Sequence, residues 1–577
     1  MSQMEAEPSP PRAARFSTRS LLYIVLLVTA LVYLPGLNGG FLFDDFPNIV
    51  DNPGVQPQHL DPQALARAAW SSPASDFKRP LASLSFAMNY LATGLDYRWM
   101  KLTNIAIHLL NGALLYWLSL LILQAAAGTP PTRAATPGQE RLALAIAGAW
   151  LVLPINLTAV LYVVQRMESL ANVFVLLGLI AYCQGRRDML AGGRGLLRCA
   201  LGIVGGTACG LLAKETAILL PLYAALIEVC VFRFRAIERR YDARIGLLLL
   251  AVFVLPFAAG FIWQLRMVLH PQVWVERDFT LAQRLLSEAR IVVSYIVWTL
   301  LPTPGALSFF HDDFRISRGL LDPWTTALGI AFIVALIAVA LAQRRRRPLL
   351  SLGIALFLGA HTLTATILPL ELIFEHRNYF ASFGLLLAVL PLCAAPRPRL
   401  LLGVLGAWWL ALTAITAYGW GDQVRVTEML AARAPASPRA QLTLGESYLA
   451  LSRLAPDAAD TARARAAFER AAALPGGSSL PDSYLITMHA RLGLPIEERW
   501  WTGLLARLRA KPLRGEDIGS LELLVACAGE ARCALPPDRV AEAFAAALAW
   551  PGPSARLRAA YARYRAIADG APDRRAD

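Results

Sequence analysis

Charge is scarce in this chain. Only 17% of its 577 residues are Asp, Glu, Lys or Arg, while 56% are hydrophobic, and the mean hydropathy is +0.47. So little polar cover cannot screen that much apolar surface in water, which excludes an ordinary soluble protein. The seven cysteines show no CxxC spacing, which excludes the common zinc and thioredoxin-like arrangements. No GxxxxGK[ST] run is present to cradle a nucleotide phosphate. The net charge is +14, but the arginines cluster between apolar runs and form no basic stripe interleaved with aromatics. Nucleic acid is therefore not an expected partner. The first apolar run has no small-residue cleavage site and reads as an uncleaved anchor.

What remains is a polytopic membrane protein with length to spare for one soluble domain. Met1 to Ser20 is Pro-rich and carries Arg12, Arg15 and Arg19, the expected pattern for a disordered cytoplasmic tail, residues 1–20. Leu21 to Leu37 is just long enough to span. A first outer loop, 38–99, is too long for a simple connector and is expected to contain helices. Further spans are expected near Leu102–Leu123, Leu142–Val160, Ala171–Tyr182, Leu196–Ala213, Ala217–Phe232, Ile245–Leu265, Trp324–Leu341, Leu349–Leu370, Tyr379–Leu392 and Leu400–Tyr418. Phe279 to Leu301 is apolar only in its second half and reads as interfacial or re-entrant. That gives eleven spans, with Arg233–Arg244, Arg344–Arg347 and Arg397/Arg399 on the cytoplasmic side. Residues 21–419 form the spanning domain, and an odd count places residues 420–577 outside.

That last part is rich in Ala, Arg and Leu, with apolar positions at helical spacing. Leu444-Gly445, Tyr448, Ala464, Phe468, Ala472 and Pro475 follow the order of a tetratricopeptide helix pair, with an insertion of about seven residues against the usual period. An irregular helical bundle is the alternative. Cys527 and Cys533 could bond in an oxidising compartment, provided the helix breaks between them. The fold class is thus all-α: a transmembrane bundle followed by a helical domain resembling tetratricopeptide repeats.

The scarce charges gather at the outer edge of this topology. Asp44 and Asp45 follow the first span, in FLFDDFPNI; Lys78 and Arg79 sit later in the same loop. Arg166 and Glu168 fall between the third and fourth spans, and Lys214 and Glu215 between the fifth and sixth. His311, Asp312 and Asp313 lie in FFHDDF, an echo of the first motif; Glu375, His376 and Arg377 lie between the ninth and tenth spans. Ionised groups near a membrane are costly unless they serve a partner or substrate. An electropositive rim around carboxylates suits a phosphate-bearing substrate and acid/base work. In a sugar carried on a lipid phosphate, a carboxylate can take the proton of an attacking hydroxyl while Arg or Lys steadies the departing phosphate.

The stretches FLFDDFPNI, KRPLASLSF, HLLNGALLY, QRMESLANVF, LLAKETAILLP and FEHRNYFASFG together resemble the integral-membrane glycosyltransferases of the GT-C fold. The resemblance is strongest to protein O-mannosyltransferases with tetratricopeptide repeats, and to their bacterial relatives. It implies that Asp44 or Asp45 is the general base and that Arg79, Arg166, Lys214 and Arg377 handle the lipid phosphate. Lys78, Glu168, Glu215, Asp312, Asp313, Glu375 and His376 are the supporting charges. It further implies a polyprenyl-phosphate-linked sugar as donor, a protein or glycan hydroxyl as acceptor, no obligatory cofactor, and room for a divalent metal. One departure stands out: Pro154-Ile155-Asn156 occupies the place of the His-Pro that relatives carry. The expected setting is a bacterial inner membrane, N-terminus cytoplasmic and C-terminal domain periplasmic. The competing readings are a lipid-linked-sugar transporter, which would place polar groups at mid-membrane, and a membrane-anchored scaffold.

Overall fold

The computed structural model describes residues 17–237, 241–274, 277–393 and 398–569. Helices form wherever apolar runs are long, and polar caps fix their starts. The first helix, Thr18–Tyr33, is capped by Ser17, whose side chain accepts from Ser20 N. It begins inside the expected tail, of which residues 1–16 lie outside the described residues. Tyr97–Ala126 is capped by Asp96. Pro137–Leu151 and Leu281–Leu300 open on capping boxes, Thr136 with Gln139 and Thr280 with Gln283.

Seven helices among the described residues are long and apolar enough to cross a membrane. A bent pair, Pro137–Leu151 with Pro154–Leu161, broken by 54°, makes an eighth. This is an integral membrane protein. The other three members of the expected eleven are shorter: Leu196–Leu211, Pro348–Ala360 and Asn378–Val389. The expected Leu349–Leu370 span is corrected in particular. Its helix stops at Ala360, and the chain continues irregularly to the single turn Glu375–Arg377. The reason is polar chemistry: Arg284, fully buried, donates to the carbonyls of Thr364, Thr366 and Leu370. Those carbonyls are thereby satisfied without a helix.

Short helices compensate by packing closely. A side chain on Gly353 would strike the Gly384 carbonyl, and one on Gly178 the Gly202 carbonyl. Pro348–Ala360 therefore lies directly on Asn378–Val389, and Arg166–Leu190 on Leu196–Leu211. Leu281–Leu300 is a single helix that buries Arg284, Ser287, Glu288, Ile291, Val292, Tyr295 and Thr299 as one stripe, while Leu285 and Val297 are exposed. It is not among the apolar candidates to cross a membrane.

The C-terminal part is a stack of helix pairs. Pro438–Ser452 pairs with Ala459–Ala473, Leu480–Arg491 with Glu498–Ala510, and Gly515–Ala528 precedes Pro537–Leu548. Each helix also packs on the one two places along: Leu480–Arg491 on Gly515–Ala528, Glu498–Ala510 on Pro537–Leu548, Gly515–Ala528 on Ala555–Ala568. That is the arrangement of a helical repeat rather than an irregular bundle. Gly445 meets the Phe468 ring at the first crossing, two positions of the motif read from sequence. Cys527 and Cys533 are bonded, and the helix ends at Ala528 between them. The boundary with the spanning domain is not a clean cut at 420. Val426, Leu430, Ala431 and Ala434 belong to the spanning domain's core.

Candidate active site

The 41–50 loop separates its two aspartates. Asp45 is 1% exposed, and its carboxylate accepts from Leu42 N at 2.9 Å and Val164 N at 2.7 Å. Burial pushes its carboxyl up, to about 7, against the pull of those two donors. Asp44 is exposed, its N–H donating to the Tyr162 hydroxyl at 2.7 Å, so that hydroxyl lies beside the aspartate. Phe43, in a left-handed conformation, turns its ring onto Phe309 at 4.5 Å and against Phe310 at 5.4 Å. The two echoing motifs therefore pack against each other.

Elsewhere in the outer loops, charges meet in pairs. Arg79 forks onto Glu215, with nitrogen–oxygen distances of 2.8–3.1 Å. It gets there through two successive left-handed residues, Lys78 (φ 57°) and Arg79 (φ 45°), a conformation that costs side-chain-bearing residues about 1 kcal/mol each or more. Lys78 itself is half-buried. Lys214 contacts Glu168 at 3.1 Å and donates to Gln165 Oε1 at 3.0 Å. Thr216 donates to the same Glu168. Burial pulls the Lys214 ammonium down, and Glu168 opposes that pull.

The Glu375–Arg377 turn closes the rim. His376 is buried, its ring stacked on Phe374 at 5.1 Å. Burial holds it neutral, and the positive charges of Lys214, Arg377 and Arg79 push the same way. Arg377 lies over the Phe374 ring and donates to Leu372 O at 2.8 Å. Among the described residues it forms no ion pair. Glu375 points away from the rim into the protein, where burial raises its carboxyl to about 8.

Three of the expected charges lie elsewhere. Arg166 is fully buried, its guanidinium donating to Asn104 Oδ1 and to the carbonyls of Ser85 and Met100. It holds the first outer loop to the spanning helices and is sealed from solvent. Asp312 accepts from Ser437 Oγ at 2.5 Å and from Arg439 N, so it braces Ser437, the N-cap of the helix Pro438–Ser452. Asp313 is exposed beside it, and His311 stacks on Trp298 at 5.1 Å. Asn156, at the departure from the family pattern, is buried and donates to Trp150 O.

Several residues had no assigned role in the sequence reading. Lys101, 1% exposed, donates to Gly36 O and stands near Asp45. His108 is hydrogen-bonded to the Tyr379 hydroxyl at 2.8 Å and to Leu151 O. Their signal is legible in hindsight: Lys101, Asn104, His108 and Asn111 fall on one face of an otherwise apolar helix. Among the described residues no three His, Cys, Asp or Glu side chains converge as metal ligands would.

Comparison with known proteins agrees with the motifs. The chain is 31% identical over 205 residues to the protein O-mannosyl-transferase Tmtc1 of Drosophila melanogaster, covering 34% of this chain and 21% of that protein. It is 30% identical over 206 residues to Tmtc2 of the same fly, covering 34% and 20%. It is 27% identical over 168 residues to TMTC3 of Mus musculus, covering 28% and 17%. The match thus spans about a fifth of the length of these curated relatives. No family model and no solved structure matches. Over about a third of its length, this chain is similar to the proteins named protein O-mannosyl-transferases, as its motifs lead one to expect.

Proposed function

We propose that the protein is a membrane glycosyltransferase that moves a sugar, a mannose-like hexose, from a polyprenyl-phosphate carrier to a Ser or Thr hydroxyl of an exported protein. One observation carries the reading: packed rings join the loop of Asp44, the exposed member of the aspartate pair, to the turn that bears Arg377, with Phe43 on Phe309 at 4.5 Å, Phe309 against Phe374 at 6.4 Å, and Arg377 over the Phe374 ring. Asp44 takes the proton of the acceptor hydroxyl as that oxygen attacks the anomeric carbon, and the carbon–phosphate oxygen bond breaks. Arg377, free of any carboxylate among the described residues, receives the departing phosphate. Arg79 and Lys214 are each matched to a glutamate, so they supply donors without repelling Arg377. Asp45 and Arg166 act as scaffold. The reaction faces the extracytoplasmic side. The Cys527–Cys533 bond supports that orientation, since such bonds persist in oxidising compartments. The names of the relatives support the class of reaction and the protein acceptor.

The test is transfer by the purified full chain from a labelled polyprenyl-phosphate sugar, with mass spectrometry of the acceptor. Asp44→Asn is expected to fold normally and lose about 10²–10⁴ in rate. Full transfer by Asp44→Asn would remove the proposed base. Relocation of the lipid sugar with no covalent product would instead identify a transporter.

A further inference from the structure

A small, partly enclosed cavity lies where the spanning helices meet the first helix of the C-terminal domain. Thr158, Phe309, Glu375 and Trp420 wall it on one side, Leu430 and Arg433 on the other. Two polar atoms in these walls, Glu375 Oε1 and Thr158 Oγ1, are buried with no hydrogen-bond partner. The residues are only 6% and 5% exposed. Arg433 is held rigidly: one terminal nitrogen donates to Leu307 O at 2.8 Å, the other to Thr416 Oγ1 at 3.1 Å. It is the cation that acts on Glu375. A carboxyl and a hydroxyl left bare in a partly enclosed polar space cost about 1–3 kcal/mol each unless something bridges them. Water is the molecule of the right size and chemistry.

The cavity touches both halves of the proposed site. Phe309, one wall, stacks on Phe43, the neighbour of Asp44. Glu375, another wall, shares a single turn with His376 and Arg377. Arg433 ends the helix Gln423–Arg433, and Ser437, the N-cap of the next helix, donates to Asp312 of the other domain.

We propose that Arg433 is a positioning residue, which fixes the Phe374–Arg377 segment through water held between Glu375 and Thr158 and so sets His376 and Arg377 for the lipid phosphate. The inference rests on the transferase reading for its ligand. It makes the helical domain part of the site: a displacement of Gln423–Arg433, by an acceptor bound to the repeats for example, reaches Arg377 through this cavity.

Two measurements on the full chain in nanodiscs test it. The first is binding of undecaprenyl phosphate, followed by tryptophan fluorescence. Arg433→Gln is expected to weaken binding about tenfold, equivalent to the loss of one buried hydrogen-bonded group. Glu375→Gln/Arg433→Gln should be no worse than Arg433→Gln alone. In transfer assays the loss should fall on KM for the lipid donor, with kcat changed less. Arg433→Lys, which keeps the charge but not the fork, should be intermediate, and serves in place of Arg433→Gln if that variant does not fold. Unchanged lipid binding in both Arg433 variants, or additive losses in the double variant, would overturn the proposal. The second measurement is thermal unfolding of the same set. Should the wild type bind no lipid phosphate, the transferase reading fails. The coupling then stands if the Glu375 and Arg433 shifts in Tm are non-additive and falls if they add.

Discussion

In the spanning region, Arg186 and Glu228 are both wholly buried and joined by two hydrogen bonds of 2.8 and 2.9 Å, with Tyr182 and Phe234 N completing the carboxylate. In the C-terminal stack, pairs such as Arg463 with Asp460 and Arg556 with Glu522 lie open to water. The same chemistry therefore does different work in the two regions. A buried pair must be complete, because removing one partner strands a charge where water cannot reach it. An exposed pair is one of many arrangements of mobile, hydrated side chains and contributes little. The rim falls between these extremes: Arg79 and Glu215 are 16% and 28% exposed, Lys214 and Glu168 12% and 8%. They are buried enough to hold geometry and still open in part to water.

Substitutions can break this comparison. The largest loss is expected from Arg186→Met, which leaves Glu228 unpaired; it should cost about 3–5 kcal/mol, read as a fall in Tm or a failure to accumulate in the membrane. Restoring stability with Glu228→Leu in the same chain would confirm that the stranded charge is the cause. Opening the Cys527–Cys533 bond with a double serine substitution should cost about 2 kcal/mol, because the loop it closes is short. That loss should be confined to the C-terminal stack and leave transfer by the rim intact.

Glu375 offers a test with pH. Burial raises its carboxyl to about 8, above its ordinary value. The unfolded chain gives up this proton first, so the stability this group contributes is greatest in acid and declines as pH rises toward 8. Glu375→Gln removes that dependence. Its advantage in Tm over the wild type should be larger at pH 8 than at pH 5. The smallest effect is expected from Arg463→Gln on the outer face of the stack, within about 0.5 kcal/mol. A loss several times larger there would mean that the repeats depend on surface charge as the spanning helices depend on buried charge.

Much of this arrangement was legible from residues alone. Apolar run length located the long crossing helices, and the order Leu444-Gly445, Tyr448, Ala464, Phe468, Ala472 and Pro475 picked out the first helix pair. A bond between Cys527 and Cys533 needed a helix break, and the structure contains both. Partners distant in sequence were not legible. Nothing near Asp45 announces that Val164 N will bind its carboxylate, so the aspartate pair could not be split into buried and exposed members. Arg166 looks like a rim cation by position, yet Asn104, Ser85 and Met100 claim it from elsewhere in the chain. The end of Pro348–Ala360 depends on Arg284, about 80 residues before the carbonyls it satisfies.

The bond from Val164 N to Asp45 has a mechanical consequence. Val164 opens the helical run that goes on to carry Glu168, and Glu168 in turn grips Lys214. The loop bearing Asp44 and the Lys214 ammonium are therefore suspended from the same helix end. A tilt of that helix moves the loop and the ammonium together rather than apart.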